Sequence, residues 1–145
     1  MIENYIPPMD AASFIARVFL GILFFVQGYD KIFKLKISGV VETIRPAYRK
    51  LKLPDGVITF TAYFTSIVEF VGGLLLIIGL FRYEAYYLLG LDLLIVCLGM
   101  SLVNALWDMQ YVLPRLILLL FLLMLPVCYD HYALDTLFNS CVCTE

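Results

Sequence analysis

The sequence predicts an all-α membrane protein, a bundle of four transmembrane helices with a short interfacial helix between the first two spans. Apolar residues make up 63% of the 145 residues, and the mean hydropathy is +0.94. Only 15% of the residues are charged, whereas about a quarter are charged in a typical soluble domain. A chain of this composition has too little polar surface to stay dissolved, so its predicted partner is a lipid bilayer and not nucleic acid.

Four apolar segments approach or exceed the length of about 20 residues that a helix needs to cross the hydrocarbon core. Their predicted limits are residues 11–28, 58–80, 85–106 and 111–129. The fourth segment is short because its uncharged part begins only after Arg115. Its first turn, which contains Pro114, is therefore expected in the interface. We expect a single domain over residues 1–145, with a flexible tail over residues 135–145.

The loop between the first two spans carries most of the positive charge. Seven of the ten basic residues lie there: Lys31, Lys34, Lys36, Arg45, Arg49, Lys50 and Lys52. Cytoplasmic loops are enriched in Lys and Arg, so loop 29–57 is predicted to be cytoplasmic and both termini outside. Apolar residues recur at helical spacing beside a basic stripe, which predicts a helix lying on anionic headgroups, divided at Pro46. A solvated basic loop is the alternative.

Three ionisable residues interrupt the apolar segments: Arg17, Glu69 and Asp92. Each costs about 2.5–3.5 kcal/mol at the centre of a membrane helix, so such residues usually face the bundle interior and find a partner. At 1.5 Å per residue, Arg17 and Asp92 are predicted at nearly one depth, with Glu69 nearer the midplane. We therefore predict a buried Arg17–Asp92–Glu69 cluster with one surplus negative charge. It is either a site for a ligand or proton, or a device that fixes helix register.

Glycines share the predicted helix faces of these charged residues. Gly21 and Gly28 lie on the face of Arg17, and Gly72 and Gly73 lie on the face of Glu69. Small residues allow helix backbones to approach closely in lipid, so these positions are predicted helix-packing sites.

The cysteines do not form a metal-binding or haem-attachment pattern, and neither a metal nor a covalently bound cofactor is expected. Cys141 and Cys143 form a CxC in the tail, which the predicted topology places in an oxidising compartment. They are candidate redox thiols, since a disulfide across one residue is strained and labile. The alternative is a tail whose thiols are incidental. Cys97 is expected to pack as a small apolar residue, and His131 to lie at the interface.

Three stretches carry a family resemblance, in this order along the chain: RVFLGILFFVQGYDKIFK from Arg17, EFVGGLLLIIGLFR from Glu69 and YDHYALD from Tyr129. Together they resemble the DoxX family of small membrane proteins, which includes the DoxD-like subunits. The third stretch lacks two glycines and a serine of the family's terminal run. The resemblance extends over nearly the whole chain. The positions that match the family are Arg17, Gly28, Lys31, Glu69, Gly72 and Gly73.

The resemblance implies a four-helix bundle in a prokaryotic inner membrane and a link to redox chemistry. Some relatives are subunits of thiosulfate:quinone oxidoreductase, and others join thiol-handling redox complexes. Many members are drawn with cytoplasmic termini, which conflicts with the charge distribution of this chain. Lys31 is expected either to hold an anionic ligand or headgroup, or to extend to the interface as an ordinary lysine at a helix end.

The leading hypothesis is a small membrane subunit that supports quinone- or thiol-linked redox chemistry, with a quinone pocket near Arg17 and Glu69. The sequence has no haem, flavin or iron–sulfur motif, so a redox-active membrane or periplasmic partner protein is implied. One alternative is a non-enzymatic assembly subunit of a larger membrane complex, whose buried charges only fix helix register. Another is a small-ligand binder or transporter.

Overall fold

The structure is a computed structural model that describes residues 8–50, 52, 54–104, 109–126 and 130–138. Every regular element in these ranges is a helix. In chain order they are α1 (Pro8–Tyr29), a π-helical turn (Asp30–Lys34), α2 (Lys36–Lys50), α3 (Asp55–Ile78), α4 (Arg82–Asn104), α5 (Met109–Met124) and α6 (Asp135–Phe138). The predicted all-helical class is therefore confirmed for the described residues.

The four predicted spans fall on α1, α3, α4 and α5. Two helical stretches have both the length and the composition to cross a membrane: Pro8–Lys34, with 27 residues, and Asp55–Ile78, with 24 residues. The apolar part of α5, Val112–Met124, is shorter. The structure thus supports two candidate spans directly.

Proline and glycine set several of the helix limits. Pro8 is the first residue of α1, where its missing N–H group costs no helical hydrogen bond. Pro54 is extended and precedes α3, and Pro126 follows α5. Gly79 ends α3 with φ of 78°, a conformation that L side chains rarely adopt, and its N–H donates to the carbonyl of Leu75 at 2.8 Å.

The four long helices form an up-and-down bundle. The most extensive helix contact is between α1 and α3, and α4 packs between α3 and α5. Ser13 near the start of α1, Arg82 at the start of α4 and Leu122 near the end of α5 line one small cavity. These three helix ends therefore meet at the same end of the bundle.

The bundle exposes large apolar side chains and buries several ions within its apolar core. Ile15, Phe60 and Leu94 are 65%, 69% and 62% exposed on α1, α3 and α4. In contrast, Arg17 and Asp92 are 0% exposed and Glu69 is 1% exposed. A soluble protein buries its large apolar residues and exposes its ions, so this distribution indicates a lipid environment.

A helix does connect the first two predicted spans. It is α2, which packs against α3 and α4 with Val40 buried. The expected division at Pro46 is wrong, because α2 continues through that residue. Pro46 lies on the exposed side of the helix, where the carbonyl that loses its partner can be hydrogen-bonded from outside the protein.

Candidate functional site

The helix-packing glycines bring α1 and α3 into backbone contact. A Cβ atom at Gly28 would overlap the backbone of Phe70, and one at Gly73 would overlap the backbone of Phe25. At Gly21 it would lie 2.9 Å from the carbonyl oxygen of Gly73. Such close approach explains why the side chains of α1 can reach those of α3 in the bundle interior.

Gly72 allows α3 and α4 to approach each other closely. A Cβ atom at this position would lie 3.0 Å from the side chain of Leu89. The structure thus places all four glycines at contacts between helices.

Lys31 is the cation that reaches Glu69. Its Nζ lies 2.7 Å from Oε1 of Glu69, and the Nε2 of Gln27 donates to the same oxygen at 3.0 Å. Gln27 and Lys31 are four residues apart, which places them on one helix face. Lys31 lies in the π-helical turn that extends α1, and such turns recur at functional sites.

Asp92 and Arg115 complete the central cluster, which we define as Lys31, Glu69, Asp92 and Arg115. The carboxyl groups of Glu69 and Asp92 lie close enough to interact electrostatically. Arg115, on α5, is near enough to interact electrostatically with both carboxyl groups. Its Cζ also lies 5.9 Å from the ring centroid of the buried Phe24. The cluster therefore joins the π-helical turn after α1 to the middle parts of α3, α4 and α5.

Several oxygens of the central cluster and of neighbouring Gln27 have no donor among the residues that the structure describes. Oε2 of Glu69, both carboxylate oxygens of Asp92 and Oε1 of Gln27 are buried without a hydrogen-bond partner among the described residues. The great majority of buried polar atoms in proteins have a partner. These oxygens are consequently the positions in the bundle interior where a ligand can add hydrogen bonds.

Arg17 belongs to a second group of ions, at the end of the bundle. Its Nε lies 2.6 Å from Oδ2 of Asp130. Its remaining nitrogens donate to Oδ1 of Asp130 and to the backbone carbonyls of Leu76, Ile77 and Tyr132. Every donor-bearing nitrogen of the guanidinium group therefore has an acceptor.

The prediction of an Arg17–Asp92–Glu69 cluster is wrong about the cation, because Arg17 does not pair with these two acids. Glu69 and Asp92 do meet, but Arg17 binds carbonyls at the end of α3. Leu76 lies seven residues beyond Glu69, which is about 10 Å along a helix axis. The surplus negative charge disappears as well, since Lys31 and Arg115 face the two acids.

Arg82 and Asp135 extend the end cluster, which we define as Arg17, Arg82, Asp130 and Asp135. Arg82 contacts Oδ2 of Asp130 and Oδ2 of Asp135, each at 3.3 Å. The Asp135 carboxylate also accepts the backbone N–H groups of Phe81 and Arg82, each at 2.9 Å. It thereby caps the start of α4 from a distant part of the chain.

The sequence analysis expected a flexible tail from residue 135, but Asp135 is ordered and bound to the bundle. Its own N–H donates to the carbonyl of Gly79 at 3.0 Å, and it opens the short helix α6. The candidate redox thiols Cys141 and Cys143 lie outside the described residues. Cys97 packs against the hydrophobic core, as the sequence predicts, and exposed His131 lies 3.2 Å from buried Asp10.

Sequence reasoning did not place four residues of these clusters, or the Gln27 that binds Glu69. The four are Arg82, Arg115, Asp130 and Asp135. A signal was available for Gln27 and for Asp135. Gln27 lies one helical turn before Lys31, which predicts a shared face. Asp135 is the last residue of the YDHYALD stretch, which the sequence analysis used only for its resemblance. Nothing in the sequence pattern joins Asp130 to Arg17.

A helical bundle with an apolar surface and ionisable residues in its interior is typical of a small integral membrane protein. The DoxX family model matches residues 12–102, and the chain belongs to the DoxX family. The match runs from α1 into the last turns of α4 and includes Arg17, Lys31, Glu69 and Asp92. No curated protein and no solved structure matches the chain.

Proposed function

We propose that this protein is a DoxX-type membrane subunit that crosses a prokaryotic inner membrane four times and supports quinone- or thiol-linked redox chemistry with a partner protein. We place the ligand site at the central cluster. One observation carries this proposal: buried carboxyl oxygens without donors lie beside two cations in the middle of the bundle.

The exposed surface supports four spans in place of two. α4 has 23 residues, enough for about 35 Å of helix, and Leu94 and Leu98 on it are 62% and 65% exposed. On α5, Ile117 is 66% exposed and Met124 is 83% exposed. Apolar exposure on all four long helices is what a bundle surrounded by lipid requires.

Cysteine labelling tests the proposed topology. Ser38 on α2 and Glu84 on α4 are both exposed and lie toward opposite ends of the bundle. Each is changed to Cys in a chain whose native cysteines are replaced by Ser. We expect a membrane-impermeant maleimide to label Glu84→Cys in intact spheroplasts, and Ser38→Cys only after the membrane is opened. Labelling of both positions from one side contradicts a crossing of the membrane by α3, which lies between them.

The chemistry of the central cluster suits a quinone. Oxidation of a hydroquinone to a quinone releases two protons and two electrons. The carboxylates of Glu69 and Asp92 can accept hydrogen bonds from the hydroxyl groups and then their protons. The electrons pass to the partner protein, because the chain has no haem, flavin or iron–sulfur motif. The thiol part of the proposal rests on Cys141 and Cys143.

An equilibrium binding measurement tests this site. A short-chain quinone and its reduced form are each titrated into the purified protein in lipid nanodiscs. We expect saturable binding that Glu69→Gln weakens by about tenfold or more, since one of the charged acceptors is lost. Glu84→Gln is the matched control, because Glu84 is an exposed acid on α4. Absence of saturable binding of either redox form to the native chain would end the quinone proposal.

The end cluster favours a second candidate function, a non-enzymatic assembly subunit. Arg17 is completely buried and its donors are satisfied, so this cluster serves the fold and not a ligand. If the central cluster acts in the same way, Glu69→Gln destabilises the bundle without changing any binding. Purification with one fixed membrane partner, in the absence of quinone binding, is the result that selects this function.

A further inference from the structure

The formal charges of the central cluster cancel. Lys31 and Arg115 are cations, and Glu69 and Asp92 are acids. Glu69 and Asp92 are at most 1% exposed, and an unpaired charge is costly in such an apolar interior. A bound ion of either sign would leave a net charge there. An uncharged ligand would not.

The atoms of the cluster that are free to bind a ligand are hydrogen-bond acceptors. Around this cluster, the buried atoms that have no hydrogen-bond partner in the described part of the chain are Oε2 of Glu69, both carboxylate oxygens of Asp92 and Oε1 of Gln27. All of them are acceptors unless a carboxyl group carries a proton. A ligand that fits them must therefore donate hydrogen bonds, and two acids at the same place call for at least two donors.

We infer that the central cluster binds an uncharged ligand that donates at least two hydrogen bonds and, resting on the proposed function, that this ligand is the dihydroxy form of the quinone. The oxidised form carries only carbonyl oxygens, which would face carboxylate oxygens with no hydrogen between them. The hydroquinone supplies two O–H groups. The protein therefore binds the reduced form more tightly than the oxidised form.

The neighbouring aromatic ring favours an aromatic diol over an aliphatic one. Phe24 is completely buried, and its ring lies beneath the guanidinium group of Arg115. Aromatic rings prefer offset or edge-to-face contacts with one another. In the inferred complex, a planar dihydroxy ring contacts Phe24 and directs its hydroxyl groups to the acids.

Three probes with one ring system test the inference on the native chain, so that no variant has to fold. They are a short-chain hydroquinone, its quinone and its dimethyl ether, which keeps the ring and lacks both donors. Binding is measured anaerobically in nanodiscs. We expect the hydroquinone to bind at least about tenfold more tightly than the quinone or the ether. Equal or tighter binding of the quinone overturns the inference and leaves the proposed function standing.

Failure of both redox forms to bind overturns the quinone part of the proposed function as well, and the two failures are therefore distinguishable. Asp92→Asn adds a second readout, because it replaces one acceptor oxygen by a donor. We expect it to weaken hydroquinone binding about tenfold and to leave quinone binding unchanged or stronger. Glu84→Gln is the control and should change neither affinity. Equal losses for both redox forms in Asp92→Asn count against the inference.

Discussion

Lys31 and Glu69 form an ion pair of 2.7 Å in which the lysine is 17% exposed and the glutamate only 1% exposed. The pair joins the end of α1 to the middle of α3. Because the acid is far more buried than its partner, the lysine contributes chiefly by neutralising a charge that water does not reach.

Removing the ammonium group should therefore destabilise the bundle. We expect Lys31→Met to lower the free energy of unfolding by up to about 3 kcal/mol, because it leaves an uncompensated buried carboxylate. The loss should be smaller in the double variant Lys31→Met/Glu69→Gln, which removes both charges. Unfolding of the purified protein in a mild detergent measures both quantities.

Lys34 offers the matched control. It forms a 2.6 Å pair with Asp30, but the two side chains are 67% and 39% exposed. Exposed pairs at this spacing contribute at most about 0.5 kcal/mol, so Lys34→Met should have little effect. Equal destabilisation by the two substitutions would show that burial of Glu69 is not what makes Lys31 important.

Gly73 should not tolerate a methyl group. A Cβ atom there meets the backbone of Phe25, which cannot rotate away as a side chain can. We expect Gly73→Ala to cost about 1–3 kcal/mol of stability through overpacking. Gly99 on α4 has nothing within 4 Å of its Cβ position, so Gly99→Ala should be neutral or slightly stabilising. The same unfolding measurement compares them, and a neutral Gly73→Ala would refute the close α1–α3 contact.

Asp135 should stabilise the first turn of α4 and slow hydrogen exchange there. We expect Asp135→Ala to cost about 1–2 kcal/mol, the usual effect of losing a helix cap. Hydrogen exchange at the amides of Phe81 and Arg82 should become faster, since both donate to this carboxylate. Asp55 is an exposed acid in the first turn of α3, where no side-chain cap is present. Asp55→Ala should therefore leave exchange in α4 unchanged.

The guanidinium group of Arg17 should not be replaceable by an ammonium group. Lysine keeps the charge but cannot contact Asp130 and the carbonyl of Leu76 with a planar fork of donors. We expect Arg17→Lys to cost about 1.5–3 kcal/mol, the contribution of a hydrogen bond to a charged group. Arg49→Lys on the exposed face of α2 is the control. An Arg17→Lys variant as stable as the native chain is incompatible with the end cluster.

Apolar segment length predicted where the long helices lie, because a helix in lipid needs a long run of apolar residues whatever its neighbours are. The meeting of Glu69 and Asp92 was also predictable, since both acids lie within apolar segments and must avoid lipid. The partner of Arg17 was not. Asp130 lies 113 residues away in the chain, in a stretch that composition assigns to the outside.

Lys31 shows a second limit of sequence reasoning. Charge counting assigns it to the basic loop, because six other basic residues follow it before α3. Its position is instead set by the π-helical turn, which keeps the chain helical beyond Tyr29. Turn geometry of this kind depends on contacts across the bundle, and no local pattern of residues encodes it.

The ion pair between Arg17 and Asp130 has a consequence for biogenesis. Arg17 lies in α1 and Asp130 follows α5, so the arginine is synthesised long before its carboxylate partner. Until then the nascent chain carries an unneutralised guanidinium group that the insertion machinery or anionic lipid must accommodate. A chain truncated after α5 would lack Asp130 and keep a buried guanidinium group without its carboxylate partner, which is strongly destabilising.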